Sequence, residues 1–166
     1  WGPVQDLSSG GENAFTPGIA ASADWSRVSA VWSRFDGTNL IVQAASSTNG
    51  GATWSSGSNL SAPGRDADSP TIASSTSGDR VIALWSRYDG SSNVIQSAAS
   101  TNAGGGWGQA QTISGSGFDA VTPQVATSAS GNAATATWIG HDGSNTVAYA
   151  AEAAPDLASW TSPTVL

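Results

Sequence analysis

The side chains with most capacity for chemistry recur together. Trp32-Ser33-Arg34-Phe35-Asp36-Gly37 returns as Trp85-Ser86-Arg87-Tyr88-Asp89-Gly90, and a third version reads Trp138-Ile139-Gly140-His141-Asp142-Gly143. Asp66 and Asp119 stand at a second repeated place, where the first copy has Asn13. A ring, a guanidinium and a carboxylate together suit a sugar: the ring lies on its apolar face, and the polar groups pair with hydroxyls that would be costly to leave unpaired. In an extended strand Val28, Ala30, Trp32 and Arg34 share one side, so Trp and Arg point the same way. The candidate ligand-binding residues are therefore Trp32, Arg34, Asp36, Trp85, Arg87, Asp89, Trp138, His141, Asp142, Asp66 and Asp119. The third copy, which lacks the Arg, is expected to be a weaker or silent site. The more ordinary reading is structural: Trp packing between sheets, Arg stacking on it or pairing with an Asp, and Asp-Gly closing a tight turn.

Other chemistries find few residues. There is no Cys and no Met, which removes thiol nucleophiles and thiolate metal sites. His141 is the sole His, so a multi-His zinc site is excluded, and no Ser is marked as its partner for nucleophilic catalysis. Calcium wants about six to eight oxygens in one place, and Asp66-Ala67-Asp68 is the nearest approach to a cluster. No metal and no cofactor is expected. The net charge is −7 and Lys is absent, which argues against nucleic acid and against anionic membranes. The small, polar composition and the leading Trp1 suggest a processed, secreted bacterial protein.

These residues are positioned by a repeat. Trp1, Trp54, Trp107 and Trp160 are spaced by 53 residues, as are Pro17, Pro70 and Pro123. Residues 14–66 align with 67–119 without a gap and with 23 identities, a match too dense for chance, and 120–166 keeps the frame. Each unit reads as four short strands, near 18–22, 28–34, 40–46 and 54–60 in the first copy, separated by Asp-Gly and Asn-Gly turn signals. Four strands in a repeat of this length predict an all-β fold of propeller blades. The predicted domain is single, with blades at 14–66, 67–119 and 120–166, and residues 1–13 forming an extra outer strand and linker. Residues 1–7 and 160–166 are then copies of the same strand.

The turn Ser47-Thr48-Asn49-Gly50-Gly51-Ala52-Thr53-Trp54 resembles the Asp-box of sialidase-like propellers, with Asn49 in place of the Asp. The second copy, from Ser100 to Trp107, also loses the Thr, and the third keeps only Trp160. The resemblance implies a structural staple on the face away from a functional site. It also implies what an enzyme of that family needs: an arginine triad, a Tyr–Glu pair, an acid Asp and a Phe-Arg-Ile-Pro type motif. The motif is absent, and the only Glu residues are Glu12 and Glu152. The expectation is a chain that is not an enzyme, and instead a lectin-like carbohydrate- or ligand-binding module. The alternative is a protein-interaction scaffold, or a piece, natural or engineered, of a longer propeller. Three blades cannot close a ring, so a homodimer of six blades is expected. Trp25, where the other copies have Gly78 and Gly131, is a candidate contact residue.

Overall fold

A computed structural model describes residues 4–166 apart from Ser9 and Phe118. The chain forms three four-stranded antiparallel sheets, each in sequence order, as propeller blades are. Blade 1 comprises β1 (Ala14–Ala21), β2 (Val28–Phe35), β3 (Leu40–Ser47) and β4 (Ser58–Asn59). Blade 2 comprises β5 (Ala67–Ser74), β6 (Val81–Tyr88), β7 (Asn93–Ser100) and β8 (Gln111–Thr112). Blade 3 comprises β9 (Val121–Thr127), β10 (Ala134–His141), β11 (Thr146–Ala153) and β12 (Thr164–Val165). The inner strands β1, β5 and β9 lie side by side at the hub.

Alternation along the second strand of each blade divides the core. Val31 faces blade 2, in a cluster with Val42, Leu60 and Trp85, while Trp32 faces the opposite side with Ala30, Ala45, Leu7 and Trp54. The next joint holds Ile82, Leu84, Ile95, Ile113 and Trp138. Each strand is thus apolar on both faces, as stacked sheets require.

Two local features differ from the sequence expectation. The inner strand of blade 1 begins at Ala14, earlier than position 18, and carries Pro17 within it. It does so through a bulge: pairing with β2 jumps between Phe15 and Gly18, and Thr16 takes a φ of 47°. Ser69 and Thr122, also directly before prolines, repeat this with φ of 54° and 52°. Left-handed backbone at a non-glycine residue is strained, and the bulge lets a residue lacking an N–H sit in an inner strand.

The outer strand, expected over 54–60, pairs regularly only at Ser58–Asn59. Elsewhere single backbone bonds, Ser55 N–H to the Ser46 carbonyl and Leu60 N–H to the Val42 carbonyl, are joined by serine side chains. The Ser55 hydroxyl accepts from the Ser46 N–H at 3.0 Å, and the Ser61 hydroxyl accepts from the Val42 N–H at 2.9 Å. The Ser114 and Thr161 hydroxyls take the N–H groups of Ile95 and Glu152 in the same manner. Of the two copies of this strand, residues 160–166 provide β12. Residues 1–3 lie outside the described residues, and 4–7 form no strand, although Leu7 packs on the cluster of Ala30, Trp32 and Ala45. No helix among the described residues is long and apolar enough to cross a membrane.

Candidate functional site

The repeated carboxylates are anchored within the fold. Asp36 accepts the N–H groups of Thr38 (2.9 Å) and Asn39 (2.8 Å), Asp89 those of Ser91 and Ser92, and Asp142 those of Ser144 and Asn145. These backbone donors hold all three carboxyls below the usual carboxylate range, since each bond favours the ionised form. Each Asp closes its own hairpin with Gly37, Gly90 or Gly143 at φ near 100° or above. Asp66 and Asp119 act between blades. Asp66 accepts from Leu40 N–H at 2.8 Å, and Asp119 accepts from Asn93 N–H at 2.8 Å and from its amide at 3.1 Å.

The rings and guanidiniums separate by blade. Trp32 and Trp85 are 5% and 0% exposed: the Trp85 ring lies in the joint between blades 1 and 2, whereas Trp32 packs on the outer face of blade 1 with Ala30, Ala45 and Leu7. Arg87 is half-buried and donates to the Ala62 carbonyl, across the joint between blades 1 and 2. Burial, and then the neighbouring Arg65 guanidinium, lower its pKa from the ordinary value, both acting against the charged form. Arg34 is also half-buried, at the corresponding place in blade 1.

Blade 3 is built otherwise. Gly140 stands where Arg34 and Arg87 stand, and Tyr149 where Gln43 and Gln96 stand. The two changes are coupled: a Cβ on Gly140 would lie 3.0 Å from the Tyr149 ring, which occupies the path an arginine stem would take. The ring stacks on Trp138 with centroids 6.1 Å apart and planes 17° from parallel, and its hydroxyl donates to the His141 carbonyl at 3.3 Å. With no arginine to fill it, the space above the linker between blades 2 and 3 is an open cavity of about 260 Å³. Trp138, Gly140 and Tyr149 wall one side, Ser114, Gly115 and Ser116 another, with Asp119 and His141 at the rim.

The third copy, expected to be the weaker or silent one, is therefore where the cavity opens, because the arginine is what closes the matching space in blade 2. Of the sequence candidates, the structure gathers Trp138, His141 and Asp119 here. It leaves Trp32, Trp85, Arg34, Arg87, Asp36, Asp89 and Asp66 in other blades, and commits Asp142 to its turn. Tyr149, Ser114 and Ser116 were not singled out by sequence. The signal that finds Tyr149 is the paired loss of Arg and Gln at aligned positions. Arg65 also joins the blade 2 rim, its guanidinium lying against Gly90. Among the described residues, no three His, Asp or Glu side chains converge as a metal set would.

No family model matches the sequence, and no curated protein matches it. Solved structures do. A Hadza microbial sialidase, Hz136, superposes with a TM-score of 0.64 at 11% identity, over 89% of this chain and 36% of that one. A structure from work on the GH130 family of mannoside phosphorylases, described as containing glycoside hydrolases that target β-1,2 mannosidic linkages in Candida mannan, gives 0.55 at 14% identity, over 92% and 49%. A glycosyl hydrolase from Bacteroides ovatus gives 0.54 at 14%, over 93% and 50%. The chain spans about a third to a half of the length of these proteins. At such identities the likeness is one of fold, a sialidase-like propeller of the kind found among carbohydrate-active proteins. It corrects one expectation: a chain on a fold whose solved examples include a sialidase and glycoside hydrolases is not set apart as a non-enzyme by lacking the arginine triad and Tyr–Glu pair.

Proposed function

We propose that the chain engages carbohydrate, with one sugar ring seated in the cavity between blades 2 and 3. The observation that carries this is the stacked Trp138–Tyr149 pair, which walls a cavity with hydroxyl, carboxyl and imidazole groups around it. Tyr149 offers a flat apolar surface to the C–H face of a sugar, and Ser114, Ser116, Asp119 and His141 offer hydrogen-bonding partners to its hydroxyls. The volume lies just below the range of about 300–1,000 Å³ that holds drug-sized ligands, which suits one ring better than an extended chain.

A second reading, favoured by the glycoside-cleaving structural neighbours, is that the bound sugar is also processed. Asp119, His141 and Tyr149 are then lining side chains able to exchange a proton with it.

Calorimetric titration with a panel of mono- and disaccharides, including mannosides and sialosides, tests binding. Release of chromophore from aryl glycosides tests turnover. Binding by the wild type that disappears in Tyr149→Ala supports the site. Equal binding by both proteins, or none by either, removes it.

A further inference from the structure

The two joints between blades use the same positions, and the residues there vary in matched pairs. In the first joint Gly78 of blade 2 packs on blade 1: a Cβ on it would lie 2.9 Å from Arg27 Cβ and 3.0 Å from Ser22 Cβ. In the second, a Cβ on Gly131 would lie 2.7 Å from Arg80 Cβ and 2.9 Å from Ser75 Cβ. The arginine stem requires the glycine. The outer face of blade 1 carries Trp25 at the glycine's place, left-handed at a φ of 61° and 68% exposed. The outer face of blade 3 carries Ala133 at the arginine's place. Large and small residues have changed sides.

Three more positions follow suit. Arg27 pairs with Asp79 across the first joint, and the corresponding outer residues are Ala133 and Ser26, so both charges are gone together. Asp68 accepts from the hydroxyls of Ser33 (2.7 Å) and Thr16 (3.1 Å) across the first joint. The outer counterparts of Asp68 and Ser33 are Phe15 and Ile139, both apolar and 47% and 38% exposed. Leu60 packs with Ile72 in the first joint, and Ile113 with Val125 in the second, while their counterparts Leu166 and Ile19 are 75% and 65% exposed. Phe15, Ile19, Trp25, Ile139 and Leu166 are five of the eight large apolar side chains exposed among the described residues. Two faces built to meet water would not concentrate them.

We infer that the outer face of blade 3 docks on the outer face of blade 1 of a second copy of this chain, so that two chains close a six-bladed ring through two identical joints. The backbone continues the pattern. Ala23 N–H donates to the Thr76 carbonyl and Thr76 N–H to the Ala129 carbonyl, each at 2.8 Å, so Ala129 N–H is next in the series and meets Ala23 of the second copy. Ala21 lacks the hydroxyl that Ser74 and Thr127 extend to the preceding blade, so this joint has one hydrogen bond fewer. Docking also exchanges Leu7, which lies on the cluster of Ala30, Trp32 and Ala45, for Leu166 of the second copy, since both occupy the place of Leu60. None of this depends on the carbohydrate reading.

Light scattering on a sizing column, over a wide concentration range, tests the inference. The wild type is expected at the mass of two chains of 16.5 kDa each. Ala133→Arg places an arginine on an exposed surface where sister blades already carry one, so it should fold and melt like the wild type yet collide with Trp25 and run as one chain. Adding Trp25→Gly and Ser26→Asp rebuilds the Arg27–Gly78–Asp79 arrangement and should restore two chains. A wild type of one chain at every concentration, masses beyond two chains, an Ala133→Arg variant that still pairs, or a triple variant that stays single would each overturn it.

Discussion

The Tyr149 ring stands against Gly140, so close that a Cβ on the glycine would meet it at 3.0 Å. That contact decides where the molecule is open. In blade 2 an arginine stem runs through the corresponding space and its head binds the Ala62 carbonyl. In blade 3 the ring has taken the stem's path and the head's space is left as a cavity. Gly140→Arg should therefore restore the filled arrangement, displace Tyr149 and abolish sugar binding in calorimetry. Overpacking of this kind costs about 1–3 kcal/mol, so the variant's urea midpoint should fall modestly while the fold survives. Unchanged affinity would show that the sugar sits elsewhere.

Gly131→Ala probes the joint between blades 2 and 3. The new methyl group would stand 2.7 Å from Arg80 Cβ on a backbone of φ 70°. Strain and overpacking together should cost about 2–4 kcal/mol, read as a lower midpoint in urea. Gly115→Ala is the control: nothing lies within 4 Å of its added Cβ, and its stability should hardly change.

Ser114→Ala removes the hydroxyl that takes the Ile95 N–H at 2.9 Å. A buried donor left without a partner costs about 1–3 kcal/mol. Amide exchange at Ile95 should accelerate more than at its neighbours in β7. Uniform exchange along β7 would mean the hydroxyl does not hold the outer strand.

The blade repeat was legible because a 53-residue period in Trp, Pro and Asp-Gly survives in all three copies. The outer strands were less legible: Ser55 and Ser61 look like ordinary strand residues, and only the structure shows their hydroxyls replacing ladder groups. The inner bulges were hidden for a related reason, since Thr16-Pro17 reads as a strand boundary until its left-handed backbone is seen. At the site, repetition marks the turns and not the cavity. Asp36 and Asp89 repeat because hairpins need them, whereas the cavity arises where the repeat fails, at Gly140 and Tyr149. Whether a Trp on the second strand meets solvent or the next sheet depends on its neighbour across the joint, which no single strand reveals.

Acid should weaken the turn that Asp24 closes. The Ser22 hydroxyl, then the N–H and hydroxyl of Ser26, lower the Asp24 carboxyl from 3.8 to about 2. A carboxyl with a depressed folded pKa stabilises the fold above its unfolded value, and that contribution fades as pH falls through the folded one. The stability gap between the wild type and Asp24→Ala should thus be full at neutral pH, shrink below 3.8 and close near 2. A gap independent of pH would assign the effect to packing instead.

The most direct test of carbohydrate engagement is to follow the indole N–H resonances of the eight Trp residues during titration with a sugar that binds. Trp138, which walls the cavity, should shift, while Trp85, shut between blades 1 and 2, and Trp32, buried on the far face of blade 1, should not. Shifts at Trp32 or Trp85 with Trp138 unmoved would contradict the account and return the search to the rims of blades 1 and 2.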